Sequence, residues 1–183
     1  LSLYVAPPSP QHLLGTDDVG RDLFSRLIYG ARISLKVSLL STAIGMIVGT
    51  LVGLASGYFG GWVDTVIMRI TDVFLAFPLL LLAIALVTAL GPSENSAFIA
   101  LGVATWPYVA RLARGQALTL KNFEFVTAAR AVGAGSGRIL IVHILPNVLT
   151  PLIVYATISI ANVILAEAAL SFLGLGVQPP TAS

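Results

Sequence analysis

Uncharged apolar runs long enough to cross a lipid bilayer constrain this chain more than any other feature. Residues 37–57 and residues 144–166 contain no charged side chain. At about 1.5 Å per helical residue, these runs reach roughly 31 Å and 35 Å, against about 30 Å for the hydrocarbon core of a bilayer. Only 10% of the 183 residues are charged and 57% are hydrophobic, whereas about a quarter of a soluble domain is charged. The sequence therefore predicts an all-α integral membrane protein.

Two shorter apolar runs complete a predicted bundle of about four spans. Residues 73–90 form one, with Pro78 near its start, and residues 96–110 form the other. The latter is short for a span, so it requires Arg111 to reach toward the interface or the bilayer to thin locally. Before the first span, the spacing of apolar residues in 21–36 predicts a separate amphipathic helix at the membrane surface.

The positive charges indicate which side of the membrane each loop occupies. With four spans, loops 58–72 and 111–143 share one side, and they hold six of the ten Lys and Arg residues. An excess of Lys and Arg is typical of cytoplasmic loops, although four cations before residue 37 weaken the assignment. We therefore expect residues 1–36 to be an extracytoplasmic loop with an interfacial helix. Residues 37–176 would form the transmembrane domain with its cytoplasmic loop 111–143, and residues 177–183 a truncated extracytoplasmic loop.

Every fourth residue of the first span is small. These residues are Ser41, Gly45, Gly49, Gly53 and Gly57. On a helix they form a smooth, nearly axial stripe against which another helix can approach closely. The pattern does not distinguish a helix of the same chain from one of a partner subunit.

The stretch "FVTAARAVGAGSGRILIVHILPN", residues 125–147, is too polar for lipid and too organised for a simple linker. Its residues 125–132 predict a short helix with many small side chains, and Asn122 is a candidate cap for its start. Gly133 and the glycines after it would end that helix, and Pro146 would restrict the entry into the last span. A small-residue surface favours contact with a partner protein over a passive position on lipid.

Few other polar residues suggest chemistry. Glu167 follows 19 uncharged residues, which places it near the outer interface; a solvated carboxylate is the favoured interpretation and a substrate contact the alternative. Asn162 could line a transport pathway or bond a neighbouring helix. Arg69 and Asp72 could pair on a helix surface. The absence of cysteine excludes disulfides, and the absence of a Gly-Lys-Ser/Thr loop excludes ATP binding by that motif. A net charge of +2 does not suggest nucleic acid.

The spacing in the polar stretch resembles the cytoplasmic-loop signature of bacterial ABC importer permeases. That signature is Glu-Ala-Ala, three residues, Gly, nine residues, Ile-x-Leu-Pro. Here Thr127-Ala128-Ala129 precedes Gly133, and His143 begins the final four residues. The segments "LGTDDVGRDLFSRLIYGARISL", "GYFGGWVDTVIMRITDVFLAFP" and "ILAEAALSFLGLGVQPPT" resemble the dipeptide/oligopeptide/nickel group, specifically the second of its two paired permeases. Thr127 stands where the family has Glu, so any ion pair made there is in doubt.

The resemblance implies a type I ABC importer transmembrane domain in a bacterial or archaeal cytoplasmic membrane. It implies that loop 111–143 docks on an ATPase and that the chain is a fragment lacking a span at each end. The signature positions are Thr127, Ala128, Ala129, Gly133, Leu145 and Pro146. The expected partners are a second permease in a heterodimer, two cytoplasmic ATPase subunits that hold ATP and Mg, and an extracytoplasmic substrate-binding protein.

The chain itself would then bind no cofactor and catalyse no reaction. The expected cargo is a short peptide, with nickel or another small solute as the lesser option. The alternative function is a polytopic membrane scaffold that uses the cytoplasmic loop as a partner site without transport. An importer subunit should co-purify with an ATPase, which a scaffold need not do.

Overall fold

A computed structural model describes residues 5–176, and these residues form seven α-helices and one π-helical segment. The helices are α1 (Leu23–Phe59), α2 (Gly61–Leu75), α3 (Leu79–Leu90), α4 (Glu94–Leu120), α5 (Glu124–Ala131), α6 (Ser136–Arg138) and α7 (Leu145–Phe172). The π-helical segment Ile139–Ile144 joins α6 and α7 into one apolar helix, Ser136–Phe172. Three helices are long and apolar enough to cross a membrane, and the bent pair α2–α3 makes up to four. The predicted loop at residues 177–183 lies outside the described residues.

Helix α1 continues through the boundary between the predicted surface helix and the first span. The carboxylate of Asp22 caps its start by accepting a hydrogen bond from Ser25 N, and it ends at Gly60, whose φ is +66°. The predicted surface helix 21–36 is therefore not separate from the first span, because from Leu23 onward its residues are the first part of α1. Their Arg and Lys residues are good helix formers, so the change to an apolar composition near residue 37 supplies no break. With 37 residues, α1 is about 55 Å long and exceeds the bilayer thickness.

The small-residue stripe of α1 faces α4 of the same chain. A Cβ atom on Gly49 would lie 2.5 Å from Val109 Cβ, and one on Gly57 would lie 2.7 Å from the Arg114 carbonyl oxygen. At the start of the stripe, Ser41 Oγ donates to the Phe98 carbonyl oxygen at 3.1 Å. The residue numbers of the contacting positions increase together along both helices, so α1 and α4 run parallel. The alternative left open by the sequence is thus decided by geometry in favour of packing within the chain.

The second and third predicted spans have different bounds in the structure. Residues 58–72, expected as a loop between spans that carries a surface helix, belong largely to α2, and α2 meets α3 at an angle of 88°. Pro78 explains the bend, because proline lacks an N–H and disfavours helical geometry in the residue before it. Helix α4 extends beyond the predicted 96–110 to Leu120. The arginines in this extension, Arg111 and Arg114, pair with carboxylates on α2.

Helix α7 runs antiparallel to α1. Leu145 and Leu149 lie beside Met46 and Thr50, whereas Glu167 lies beside Ser34. The parallel α1 and α4 and the antiparallel α7 define two ends of the bundle. We call the end with α5 the α5 end, and the end with residue 22 and Phe172 the opposite end.

Candidate functional site

Helix α5 is held against the bundle by its inner face. Val126 is fully buried and Ala129 is 8% exposed, and both pack in one cluster with Leu120, Ile139 and Ile144. These partners lie at the end of α4 and at the start of the last long helix. Short connections on both sides further limit how α5 can move relative to those helices, so α5 and its neighbours form one packed unit at the α5 end.

The outer face of α5 carries small and apolar side chains in the open. Thr127, Ala128 and Ala131 are exposed, and Val132 just beyond the helix is 86% exposed. A hollow of about 300 Å³ adjoins this face, and its lining includes Val132, Gly133 and Arg138. Ala129, although part of the predicted signature, points inward. A bulky residue at position 129 would therefore displace α5, whereas position 128 tests the exposed surface itself.

Gly133 ends α5 in a Schellman motif. Its φ is +85°, its N–H donates to the Arg130 carbonyl oxygen, and the N–H of Ala134 donates to the Ala129 carbonyl oxygen. Glycine reaches this left-handed conformation without the penalty that a side chain brings. The predicted helix 125–132 agrees with α5 within one residue at each end. The turn separates α5 from α6, so residues 126–138 do not form one continuous helix.

The predicted cap by Asn122 is wrong. Asn122 Nδ2 instead donates back to the Leu118 carbonyl oxygen at 3.4 Å. The N-cap position is occupied by Phe123, whose side chain makes no capping hydrogen bond. The Phe123 carbonyl oxygen accepts from the N–H of Val126 and also from the Thr127 hydroxyl at 3.3 Å. Thr127 therefore binds its own helix.

Leu145 and Pro146 lie where the chain passes into α7, as the sequence predicts. Pro146 is exposed in the first turn of α7, directly after the π-helical segment. A wider π turn accommodates the missing N–H and the bulk of the proline ring. The N–H of Leu145 donates to the Leu140 carbonyl oxygen, and Asn147 Nδ2 donates to the His143 carbonyl oxygen at 2.8 Å. The helix consequently continues through residues that the sequence suggests as a boundary.

A polar cluster near the α5 end joins three helices. Arg114 donates two hydrogen bonds to Asp64, from Nε at 2.5 Å and from Nη2 at 2.6 Å, and Ser56 donates to the same carboxylate. Lys121 Nζ donates to the Gly57 carbonyl oxygen at 3.0 Å. The cluster ties the end of α1 and the start of α2 to α4. The sequence does not indicate this pair, because Asp64 and Arg114 lie 50 residues apart.

A second ion pair corrects the predicted partner of Asp72. Arg111 Nη2 lies 2.5 Å from Asp72 Oδ1, whereas the sequence suggested Arg69 as the partner. Both side chains of the Arg111–Asp72 pair are about half exposed. This pair lies farther along α2 than the Asp64–Arg114 pair, so together they fasten α2 along α4.

The two pathway candidates on α7 differ in burial. Asn162 is exposed, whereas Glu167 is 2% exposed. Five residues correspond to about 500° of helix rotation, so the two side chains point about 140° apart. Glu167 accepts hydrogen bonds from Ser34 and Ser171, each at 2.8 Å. The expected solvated carboxylate at this position is wrong. The 19 preceding uncharged residues give no information about Ser34 on α1, which donates to this carboxylate.

Comparison with known proteins places this architecture in a transport family. Residues 45–183 match the family model described as "Binding-protein-dependent transport system inner membrane component". The dipeptide transport system permease protein DppC of Alkalihalophilus pseudofirmus is 50% identical over 173 residues, covering 94% of this chain and 57% of that protein. The di/tripeptide transport system permease protein DppC of Pseudomonas aeruginosa is 48% identical, covering 97% of this chain and 60% of that protein.

Solved structures support the same fold. Inward-facing structures of the MetNI methionine ABC transporter include a chain with a TM-score of 0.72 and 22% identity, covering 85% of this chain and 77% of that one. The present chain spans about 57–60% of the length of the two relatives above. It is a multi-pass membrane protein by its apolar helices. The chain belongs to the family of binding-protein-dependent transport system inner membrane components.

Proposed function

We propose that this chain is part of a permease that imports short peptides across a bacterial cytoplasmic membrane, driven by ATP hydrolysis on separate subunits. The single structural observation that carries the proposal is the outward face of α5. Its inner residues are buried among α4 and the last long helix, while Thr127, Ala128 and Ala131 remain exposed. A rigid helix with an open small-residue face is suited to transmit force from a docked ATPase.

The cargo follows from the relatives. Several are described as dipeptide, di/tripeptide or glutathione transport permeases. Each of these cargoes is a short peptide. They support a short peptide over nickel or another small solute. The complete importer would contain a second permease, two ATPase subunits and an extracytoplasmic binding protein. This chain would bind none of the ATP or Mg and would catalyse no step.

The contacts of α5 suggest how movement would spread. ATP-driven closure of the ATPase pair would push α5, and the packed cluster around Val126 would carry α4 and α7 with it. The bidentate Asp64–Arg114 pair would add α2 to the moving unit. Switching between inward- and outward-facing packings would then be a rigid-body transition with two discrete arrangements. Asn162 and Glu167 on α7 remain candidates for the transport pathway.

Reconstitution tests this proposal. The complete transporter, assembled with its ATPases and binding protein in lipid vesicles, should take up a dipeptide with ATP and not with ADP. Ala128→Trp, which places bulk on the open face of α5, should abolish uptake and reduce co-purification of the ATPase. Thr65→Trp is the matched control, because Thr65 is exposed on α2 near the same end. ATP-independent uptake, or full uptake by Ala128→Trp, would contradict the proposal.

A further inference from the structure

Glu167 is a buried carboxylate at the opposite end of the bundle. Its Oε2 accepts a hydrogen bond from Ser34 Oγ on α1, and its Oε1 accepts one from Ser171 Oγ on its own helix. An ionised carboxylate offers about four acceptor positions. Two hydroxyl donors therefore leave acceptor capacity on both oxygens.

No cationic side chain among residues 5–176 lies within 4.0 Å of this carboxylate. The positive groups at this end bind elsewhere. Arg21 and Arg26 pair with Asp17, Lys36 pairs with Glu94, and Arg32 lies over the Tyr29 ring. A buried charge without a cationic partner is unfavourable unless further groups compensate it. Ionisable residues at membrane depth are therefore candidates for functional sites.

A hollow of about 340 Å³ lies beside the carboxylate. It is lined by Ser34, Glu167, Ala168, Ser171 and Phe172. This volume is near the lower end of the range of about 300–1,000 Å³ that is usual for small-molecule sites. The lining combines one carboxylate and two hydroxyl groups with the apolar surface of Phe172. The hollow thus offers a negative, hydrogen-bonding corner next to an apolar wall.

We propose that this hollow binds the terminal ammonium group of a peptide, with Glu167 as the counter-ion. A primary ammonium has three N–H donors, which match the carboxylate and the two serine oxygens. Phe172 would contact the first side chain of the peptide. Among the described residues, no three His, Cys, Asp or Glu side chains come together to hold a metal ion, so the site favours an ammonium over a divalent cation. This inference rests on the proposed function in peptide transport.

Equilibrium binding to the assembly of both permeases with the two ATPase subunits tests the site directly. The binding protein is left out, so its own specificity does not enter. The probes are radiolabelled alanyl-alanine and its N-acetylated form, which lacks the positive charge. Wild type should bind the free dipeptide about tenfold more tightly than the N-acetylated form. This ratio of dissociation constants is equivalent to about 1.4 kcal/mol. Glu167→Gln should reduce this ratio to about one, because the amide is neutral; it can still bond both serines, accepting from one hydroxyl and donating to the oxygen of the other.

Glu94→Gln is the matched control. Glu94 lies at the same end and already pairs with Lys36 at 2.7 Å, so its loss should leave the ratio unchanged. A wild-type ratio near one, no binding of the free dipeptide, or an unchanged ratio in Glu167→Gln would overturn the ammonium site. Dipeptide uptake by the wild-type transporter with its binding protein is measured separately. Absent uptake refutes the peptide function, whereas normal uptake with an unchanged ratio refutes only the role of Glu167.

Discussion

Replacing Gly49 by alanine should separate α1 from α4. An added Cβ would lie 2.5 Å from Val109 Cβ and 2.6 Å from the Trp106 carbonyl oxygen. Carbon atoms in favourable contact are about 3.5–4.0 Å apart. Neither neighbour can rotate away, since one is a backbone oxygen and the other is the first atom of a side chain. The two helices must therefore move apart locally by about 1 Å.

The expected penalty is that of overpacking, about 1–3 kcal/mol. This penalty is partly offset, because replacing glycine by alanine within a helix also stabilises the helix by about 1 kcal/mol through its propensity. Gly115→Ala in α4 isolates the difference. A Cβ on Gly115 would have no neighbour within 4 Å, so this control receives the propensity gain without the clash.

The free energy of unfolding of the full-length protein is measured by titrating a denaturing detergent into mixed micelles. Gly49→Ala should be less stable than Gly115→Ala by about 1–3 kcal/mol, and the propensity contribution cancels in this difference. If Gly49→Ala is as stable as Gly115→Ala, the close parallel packing of α1 on α4 is refuted.

Three further predictions follow from particular contacts. Asp64→Asn should lower the free energy of unfolding by about 1–2 kcal/mol, because it breaks a bidentate, partly buried pair whose hydrogen bonds involve charge. Asp72→Asn should cost less than about 1 kcal/mol, since its pair with Arg111 is about half exposed; equal losses would contradict the difference in burial. Gly133→Glu should uncouple uptake from ATP hydrolysis, since φ is +85° and a left-handed conformation costs a side-chain residue about 1–2 kcal/mol. Gly133→Asn should retain uptake because asparagine tolerates that conformation, and normal uptake by Gly133→Glu at normal expression would count against the coupling role of α5. In the loop before α1, the backbone N–H of Arg21 chiefly lowers the pKa of Asp17, and the hydroxyl of Ser25 chiefly lowers that of Asp22. Both folded-state pKa values lie below the ordinary value of 3.8, so the stabilisation is present above that pH and is lost as the pH falls through the folded values. Below about pH 4, the detergent midpoint of unfolding should thus fall more steeply with decreasing pH in wild type than in Asp17→Asn. Parallel plots of midpoint against pH for the two proteins would refute this.

Features encoded locally could be predicted from the sequence. The uncharged runs indicate a helical membrane bundle, and the small side chains with Gly133 indicate a short helix followed by a turn. The four-residue period of the stripe from Ser41 to Gly57 indicates a close helix contact. Each of these depends on residues within a few turns of one another, where helical geometry fixes which side chains share a face.

Features that depend on distant residues could not be predicted. Three such features each depend on how two helices are arranged. They are the identity of the helix that contacts the small-residue stripe, the pairing of Asp64 with Arg114, and the burial of Glu167 beside Ser34. Sequence separation conceals these partners, and charge alone suggests nearer ones such as Arg69 for Asp72. The continuity of α1 was missed for another reason. A change from polar to apolar composition indicates that the helix passes from water into lipid, but it does not end the helix.

The central claim is that α5 touches an ATPase, and cysteine cross-linking tests it most directly. The chain contains no cysteine, so each introduced thiol is unique within it. Ala128→Cys on the open face of α5 should cross-link to a single cysteine on the docking surface of the ATPase in the assembled transporter. Leu13→Cys, which is exposed in the loop before α1, should give no such product. The account predicts cross-linking from position 128 alone; no product from position 128, or a product from position 13, would contradict it.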